Sequence, residues 1–353
     1  MHVSAVIDGK DTILNSDYFV NRQLLWVFLA FVTMAVISFF DAEWTKKYTV
    51  FGFYLSLIFL ILVFFLGEER NGSQRWLSIF NISLQPSEFV KIFFVLFASI
   101  LLEKHPKDNQ RKTNKNFLIT FGIMLLICAL LFAQPDFGQA FLLLMTWMIL
   151  ASLTELWGLG LFLTIGFGLI MFVFGMASED YIQHRLDLFF QDCTVASTDQ
   201  VCVAKKAFLS GGLFGRGDTG QGEVILRLAE ANTDYIFAAI AEQWGLFACG
   251  GIIVLYLAIL TNCMRRAVMF PSGQFRYLAI AGLSFQYCGQ AFIHMLINLG
   301  LFPPTGMTLP FISYGGSSMF AYAIAMGILL SYTRIDRFSK QKSMIFEYHP
   351  YRS

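Results

Sequence analysis

The feature that most limits this chain is a series of apolar segments, each close to the length of a membrane-crossing helix. A helix needs about 20 apolar residues to cross about 30 Å of hydrocarbon at about 1.5 Å per residue. Nine segments approach that length: Gln23–Phe40, Tyr48–Leu66, Ser87–Leu102, Phe117–Ala133, Phe137–Leu153, Leu156–Met176, Tyr235–Leu260, Tyr277–Leu299 and Gly315–Tyr332. Separation is thin at Gln134-Pro135-Asp136 and at Thr154-Glu155. Charged residues make up 14% of the chain, against roughly 25% in a soluble domain. Too few charges remain to coat a water-soluble surface of this size. The expected fold is therefore an all-α polytopic membrane protein with about nine transmembrane helices.

The connecting segments fall into two alternating classes. One is basic: Trp44–Lys47, Lys104–Lys115, Arg265-Arg266 with Arg276, and the tail from Arg334 to Lys342. The other is rich in Gly, Pro and Asn: Gly67–Pro86, Ala177–Thr233 and Gly300–Tyr314. The positive-inside rule assigns the basic class to the cytoplasm and the other class to the outside. Residues 1–22 then form an extracytoplasmic segment, 23–333 a membrane domain, and 334–353 a cytoplasmic tail. Residues 1–22 lack the basic start and apolar core of a cleavable signal peptide. The large outer loop 177–233 is too short for its own core. It is expected to hold one or two amphipathic helices and a glycine-rich turn lying on the membrane.

Cys193 and Cys202 share that polar loop, so a disulfide is open to them if the loop faces an oxidising compartment. The other four cysteines lie in or beside apolar runs and read as small core residues. No Cys or His spacing suggests a metal site. The net charge of +1 says little about partners, and no nucleic acid is expected.

Several motifs carry candidate chemistry. Gly215–Gly220 matches GxGxxG, but a nucleotide fold needs a strand before it and a helix after it, neither of which is expected here. These glycines instead let the backbone turn sharply and approach a head group or another helix. Arg216 and the pair Lys205-Lys206 are placed to meet phosphate, or to rest on anionic lipid. Asn232-Thr233-Asp234 precedes a long span and admits two readings. One is a helix cap with a dipole-matched acid. The other is a general base at the mouth of the bundle. Glu242 lies about two turns deeper, where a carboxylate is a functional candidate. Glu88 and Lys91, at i and i+3, read as a structural ion pair. Trp76, beside Arg75, suits the lipid interface or stacking on a sugar ring.

Six motifs occur in one order: GSQRW (72–76), QPSEFVK (85–91), AQPDFGQA (133–140), SGGLFGRG (210–217), AEANTDYIFAAIAEQWG (229–245) and PPTGMTLPFISYGGSS (303–318). Together they resemble the SEDS family, the shape, elongation, division and sporulation proteins of bacteria, from about Tyr18 to Arg334. HRLDLFF and TLPFISYGGSS resemble the division branch more than the elongation branch. The resemblance implies a ten-helix fold whose first helix is absent here, since Tyr18–Gln23 resembles the segment before the family's second helix.

The resemblance also implies an activity. Family members polymerise lipid II into β-1,4 glycan at the outer face of the cytoplasmic membrane. They work with a class B penicillin-binding transpeptidase and, in division, with other divisome membrane proteins. The essential acid of the family falls on Asp234, and the tryptophan of the outer-loop motif on Trp76. Three departures stand out: Asn232 replaces a usual His, Ala229 a usual Pro, and Gln243-Trp244 a usual Glu-Leu. The implied substrate contacts are Trp76, Arg75, Arg185, Lys205, Lys206, Arg216 and Glu242. The four residues Arg185, Lys205, Lys206 and Arg216 are candidates to stabilise the pyrophosphate, with or without a divalent cation such as Mg2+; no organic cofactor is expected. Two rival readings are a lipid II flippase and a non-catalytic divisome scaffold.

Overall fold

The computed structural model describes residues 2–7, 10–70, 73–79, 82–104, 109–177, 199–217 and 230–334. Among the described residues ten helices run in chain order: α1 Ser16–Ser38, α2 Ala42–Leu66, α3 Pro86–Leu102, α4 Gln110–Ala133, α5 Phe137–Ser152, α6 Trp157–Ala177, α7 Gln200–Gly211, α8 Ile236–Ala267, α9 Phe275–Asn298 and α10 Gly316–Thr333. Every expected span coincides with a helix, and α7 is additional. Among the described residues six helices are long and apolar enough to cross a membrane. The helices α3 and α5 are shorter, at 17 and 16 residues.

Local chemistry moves several boundaries outward. Asp41 stands at the N-cap of α2 and Glu43 in its first turn, so Lys46 and Lys47 are helical. The Asn109 side chain accepts the Arg111 N–H at 2.8 Å, starting α4 inside the basic run. Pro86 opens α3, where its missing N–H costs nothing.

The bundle is built around α9, most of which is buried, whereas α1 at the periphery is largely exposed. An aliphatic and aromatic core joins α3, α4, α5 and α9 through Phe94, Leu96, Met124, Trp147 and Leu283. The basic ends of the helices gather at one end of the bundle. There Lys46 pairs with Glu103, Lys104 with Glu155, and Arg334 with Asp41 at 3.5 Å. Lys104 N–H also donates to Gly273 O at 2.9 Å.

Three regions differ from the sequence expectation. Residues 1–22 contain an antiparallel hairpin, β1 His2–Ile7 with β2 Lys10–Asn15, and the start of α1. The segment Gly67–Pro86 holds a three-stranded antiparallel sheet, β3 Glu68–Arg70, β4 Ser73–Ile79 and β5 Ile82–Leu84. Helix α7, in the loop expected to lie on the membrane, packs one face into the bundle. Its Val203, Ala204 and Ala207 pack with Ala231, Tyr235 and Ala238 at the start of α8.

The glycine-rich turn explains that packing. Helix α8 is broken at Gly245, whose φ of +80° lies in the left-handed region. The break frees backbone groups, and Gly211–Gly217 takes them up. Arg216 N–H donates to Glu242 O at 2.9 Å and Gly217 N–H to Gln243 O at 3.1 Å. Leu246 N–H donates to Gly212 O at 3.0 Å and Phe247 N–H to Leu213 O at 3.2 Å. A broken apolar helix is tolerated where neighbouring chain satisfies its backbone in this way.

Candidate functional site

Opposite the basic end, four connecting segments converge: β4, the turn Gln134–Asp136, the turn Glu230–Tyr235 and the segment Pro303–Tyr314. Strand alternation turns Arg75 inward, so that it is buried while Gln74 is exposed and Trp76 half-buried. Arg75 Nε donates to Gln134 O at 3.1 Å, Nη2 to Pro135 O, and Nη1 lies 3.8 Å from Asp136 Oδ1. The guanidinium thus clamps the tight turn between α4 and α5. Asp136 stands at the N-cap of α5. It makes no side-chain cap bond, and Ser87 Oγ donates to it at 3.5 Å.

Asp234 is half-buried at the end of its turn. Three successive carbonyls fix the backbone there. Tyr314 N–H donates to Asn232 O at 2.8 Å. Ser313 Oγ donates to Thr233 O at 2.6 Å, and Asn298 Nδ2 to Asp234 O at 3.0 Å. The cap reading of Asn232-Thr233 is not realised. Tyr235 is the N-cap of α8 and makes no side-chain cap bond, while Thr233 Oγ1 donates to Glu230 Oε2 at 2.7 Å.

The Asp234 carboxylate faces Gly306, whose φ is +72°. A Cβ at that glycine would stand 3.4 Å from Asp234 Oδ2 and 3.8 Å from Arg75 Nη1. Acid and guanidinium therefore border one small space, kept open by the missing side chain. Lys205 on α7 lies against Gly300, 2.8 Å from Nζ to where that residue's Cβ would be. It reaches the same end of the bundle from the other side.

The remaining expected residues are more dispersed. Arg216 is exposed and its Nε donates to Ser210 O at 2.9 Å, which commits it to the glycine-rich turn. Lys206 is half-buried on α7. Glu242 is buried one turn before the break in α8. Arg185 and Cys193 lie outside the described residues; Cys202 is disulfide-bonded. Residues 335–353 of the tail also lie outside them.

Glu88 and Lys91 form the expected ion pair at 3.0 Å, buried in the bundle core. Gln139 Nε2 donates to Glu88 Oε1 at 2.8 Å, and Lys91 Nζ donates to Gln139 and, at 2.8 Å, to Gln290. Gln290 Nε2 also donates to Thr308 O at 3.3 Å, which ties this polar core to the segment carrying Gly306. Among the described residues no three His, Cys, Asp or Glu side chains gather into a group able to hold a metal ion.

Sequence reasoning passed over His294, Asn298 and Gly306. The signal for the first two was a row of polar residues at i, i+4 spacing in α9: Gln286, Gln290, His294 and Asn298.

Comparison with known proteins gives one answer. Residues 1–340 match the family model for FtsW, RodA and SpoVE, described as cell cycle proteins. A protein of Trichlorobacter lovleyi named "Probable peptidoglycan glycosyltransferase FtsW" is 32% identical over 89% of this chain and 83% of its own. The stage V sporulation protein E of Bacillus subtilis is 30% identical over 92% and 89%. Among solved structures, a chain of a peptidoglycan synthase complex superposes with a TM-score of 0.74 at 23% identity, covering 90% of each chain. RodA of Thermus thermophilus superposes with a TM-score of 0.65 at 23% identity, over 89% of this chain and 87% of that one. The chain is thus a membrane protein with the fold of these enzymes, and it belongs to the FtsW/RodA/SpoVE family of cell cycle proteins.

Proposed function

We propose that this protein is a peptidoglycan glycosyltransferase that polymerises lipid II into β-1,4-linked glycan during cell division. The observation that carries the reading is Asp234, fixed by three backbone anchors and facing Arg75 across Gly306. In this reading the convergent end is extracytoplasmic, because the basic ends lie opposite it. The protein sits in the cytoplasmic membrane at the septum.

Asp234 accepts the proton of the acceptor sugar's 4-hydroxyl. That oxygen attacks C1 of the lipid-linked N-acetylmuramic acid of the growing chain. The C1–O bond to undecaprenyl pyrophosphate breaks, and the pyrophosphate leaves with its electron pair, giving inversion at C1. General base action contributes roughly 10²–10⁴-fold. Alignment of two membrane-held substrates and stabilisation of the leaving pyrophosphate supply the rest. Lys205, half-buried near the convergent end, is the best placed of the expected cations for that second task. The partner is a class B penicillin-binding transpeptidase, since the similar solved chain comes from a complex that couples polymerisation with crosslinking.

The test is polymerisation of purified lipid II by the full chain with its transpeptidase partner. Asp234→Ala and Asp234→Asn are expected to fold and make no glycan strands; normal strands from either would refute the assignment. Movement of lipid across the bilayer without glycan would instead indicate translocation.

A further inference from the structure

We propose that Asn298 is a positioning residue for Asp234, setting at once the backbone that carries the acid and the start of the helix that follows it. The inference rests on Asp234 being the base.

Asn298 is fully buried at the last position of α9, and both ends of its amide are used. Nδ2 donates to Asp234 O at 3.0 Å. Oδ1 accepts from Ala238 N–H at 3.0 Å. The first N–H groups of α8 have no partner inside the helix, and Tyr235 at the N-cap offers no side-chain bond. The cap of α8 is therefore supplied by a side chain 60 residues away in sequence.

The amide cannot be reversed. Turning it over would place Nδ2 against the Ala238 N–H, donor to donor, and Oδ1 against the Asp234 carbonyl. His294, one turn earlier, enforces the same sense. Its Nδ1 lies 2.7 Å from Met307 O, a pure acceptor, so Nδ1 carries the proton. Nε2 is then a lone pair, and it faces Asn298 Nδ2 at 3.3 Å. Nδ2 also reaches His294 O at 2.9 Å.

This arrangement spans the site. Met307 adjoins Gly306, the residue between Asp234 and Arg75. The chain Met307–His294–Asn298–Asp234 thus fixes the floor of the space and the residue that borders it with one set of hydrogen bonds. Asn298 does not touch the reacting atoms. Its effect is on where the carboxylate stands.

A structural cap and a positioning residue predict different kinetics. Asn298→Asp keeps the volume and an acceptor for Ala238, but puts an oxygen where Nδ2 met the Asp234 carbonyl. Asn298→Ala removes both bonds. Each full-length variant is reconstituted with the transpeptidase partner. Lipid II polymerisation is measured against lipid II concentration, and folding is checked by thermal unfolding. Both variants are expected to lose about 10- to 100-fold in kcat, with KM for lipid II little changed. A folded Asn298→Asp with wild-type kcat, or a loss confined to KM, overturns the proposal. If Asn298→Ala does not fold, Asn298→Asp decides. If neither folds, Asn298 is a structural residue and the proposal is wrong. Asp234→Asn is run in parallel: glycan strands from it would refute the base assignment itself. An inactive Asp234→Asn beside fully active Asn298 variants would refute only the positioning role.

Discussion

Arg75 and Asp234 approach Gly306 from different segments, Nη1 at 3.8 Å and Oδ2 at 3.4 Å from the point where its Cβ would stand. Gly306→Ala would place a methyl group between them. The left-handed φ of +72° adds strain of roughly 1–2 kcal/mol. Polymerisation is expected to fall about tenfold or more, beyond what the strain does to stability. Initial rates and unfolding midpoints on the same preparation check this.

Arg75 does more than face the acid, because it also clamps the α4–α5 turn through two carbonyls and Asp136. Arg75→Met removes the cation facing a buried carboxylate, and a loss of about 3 kcal/mol in stability is expected. Adding Asp136→Asn should recover part of it. The measurement is the unfolding temperature of the wild type, Arg75→Met, Asp136→Asn and the double variant.

The Glu88–Lys91 pair makes a sharper prediction. Glu88→Gln and Lys91→Met should each destabilise by about 3–5 kcal/mol, because each leaves its buried partner charged and unmatched. The double variant should cost clearly less than the two single variants together. A thermal unfolding cycle in detergent that came out additive would contradict this.

Gly215 and Gly245 interlock. Their φ values are +79° and +80°, and a Cβ on either would collide with a backbone oxygen, that of Gln243 or Leu213. Gly215→Ala or Gly245→Ala should detach the turn from the helix break at a cost of at least about 2 kcal/mol. Faster proteolysis within residues 211–217 is the expected sign.

The apolar spans were legible because lipid leaves one solution for a polar backbone: a helix long enough to cross. Alternation of basic segments likewise anticipated which helix ends gather together. Asp234 was not legible from its neighbours, since Asn-Thr-Asp before a helix suits a cap equally well, and only the ordered motifs favoured a base. Arg75 and Lys205, expected as substrate contacts, both lie at the convergent end. Arg216, expected near phosphate, is exposed with its Nε bonded to Ser210 O, while its backbone N–H meets the helix break that lies 29 residues later. Asn298 and Gly306 were missed for a plain reason. Their roles depend on residues far away in sequence: the polar row that ends at Asn298 marks a polar face of α9 but not what that face meets. The β3–β5 sheet was hidden in the same way, in a segment whose glycines and asparagines read as loop.

The buried charges of α3 bear on how this protein is made. Glu88 and Lys91 neutralise each other within a single turn, so α3 can partition into lipid before any later helix exists. Gln139 arrives with α5 and Gln290 only with α9, about 200 residues later in synthesis. Until then α3 carries unmet hydrogen-bonding demand inside the bilayer. The order of translation therefore leaves this polar core incomplete until α9 is made, and truncation before it should leave a membrane-inserted chain that quality-control proteases recognise.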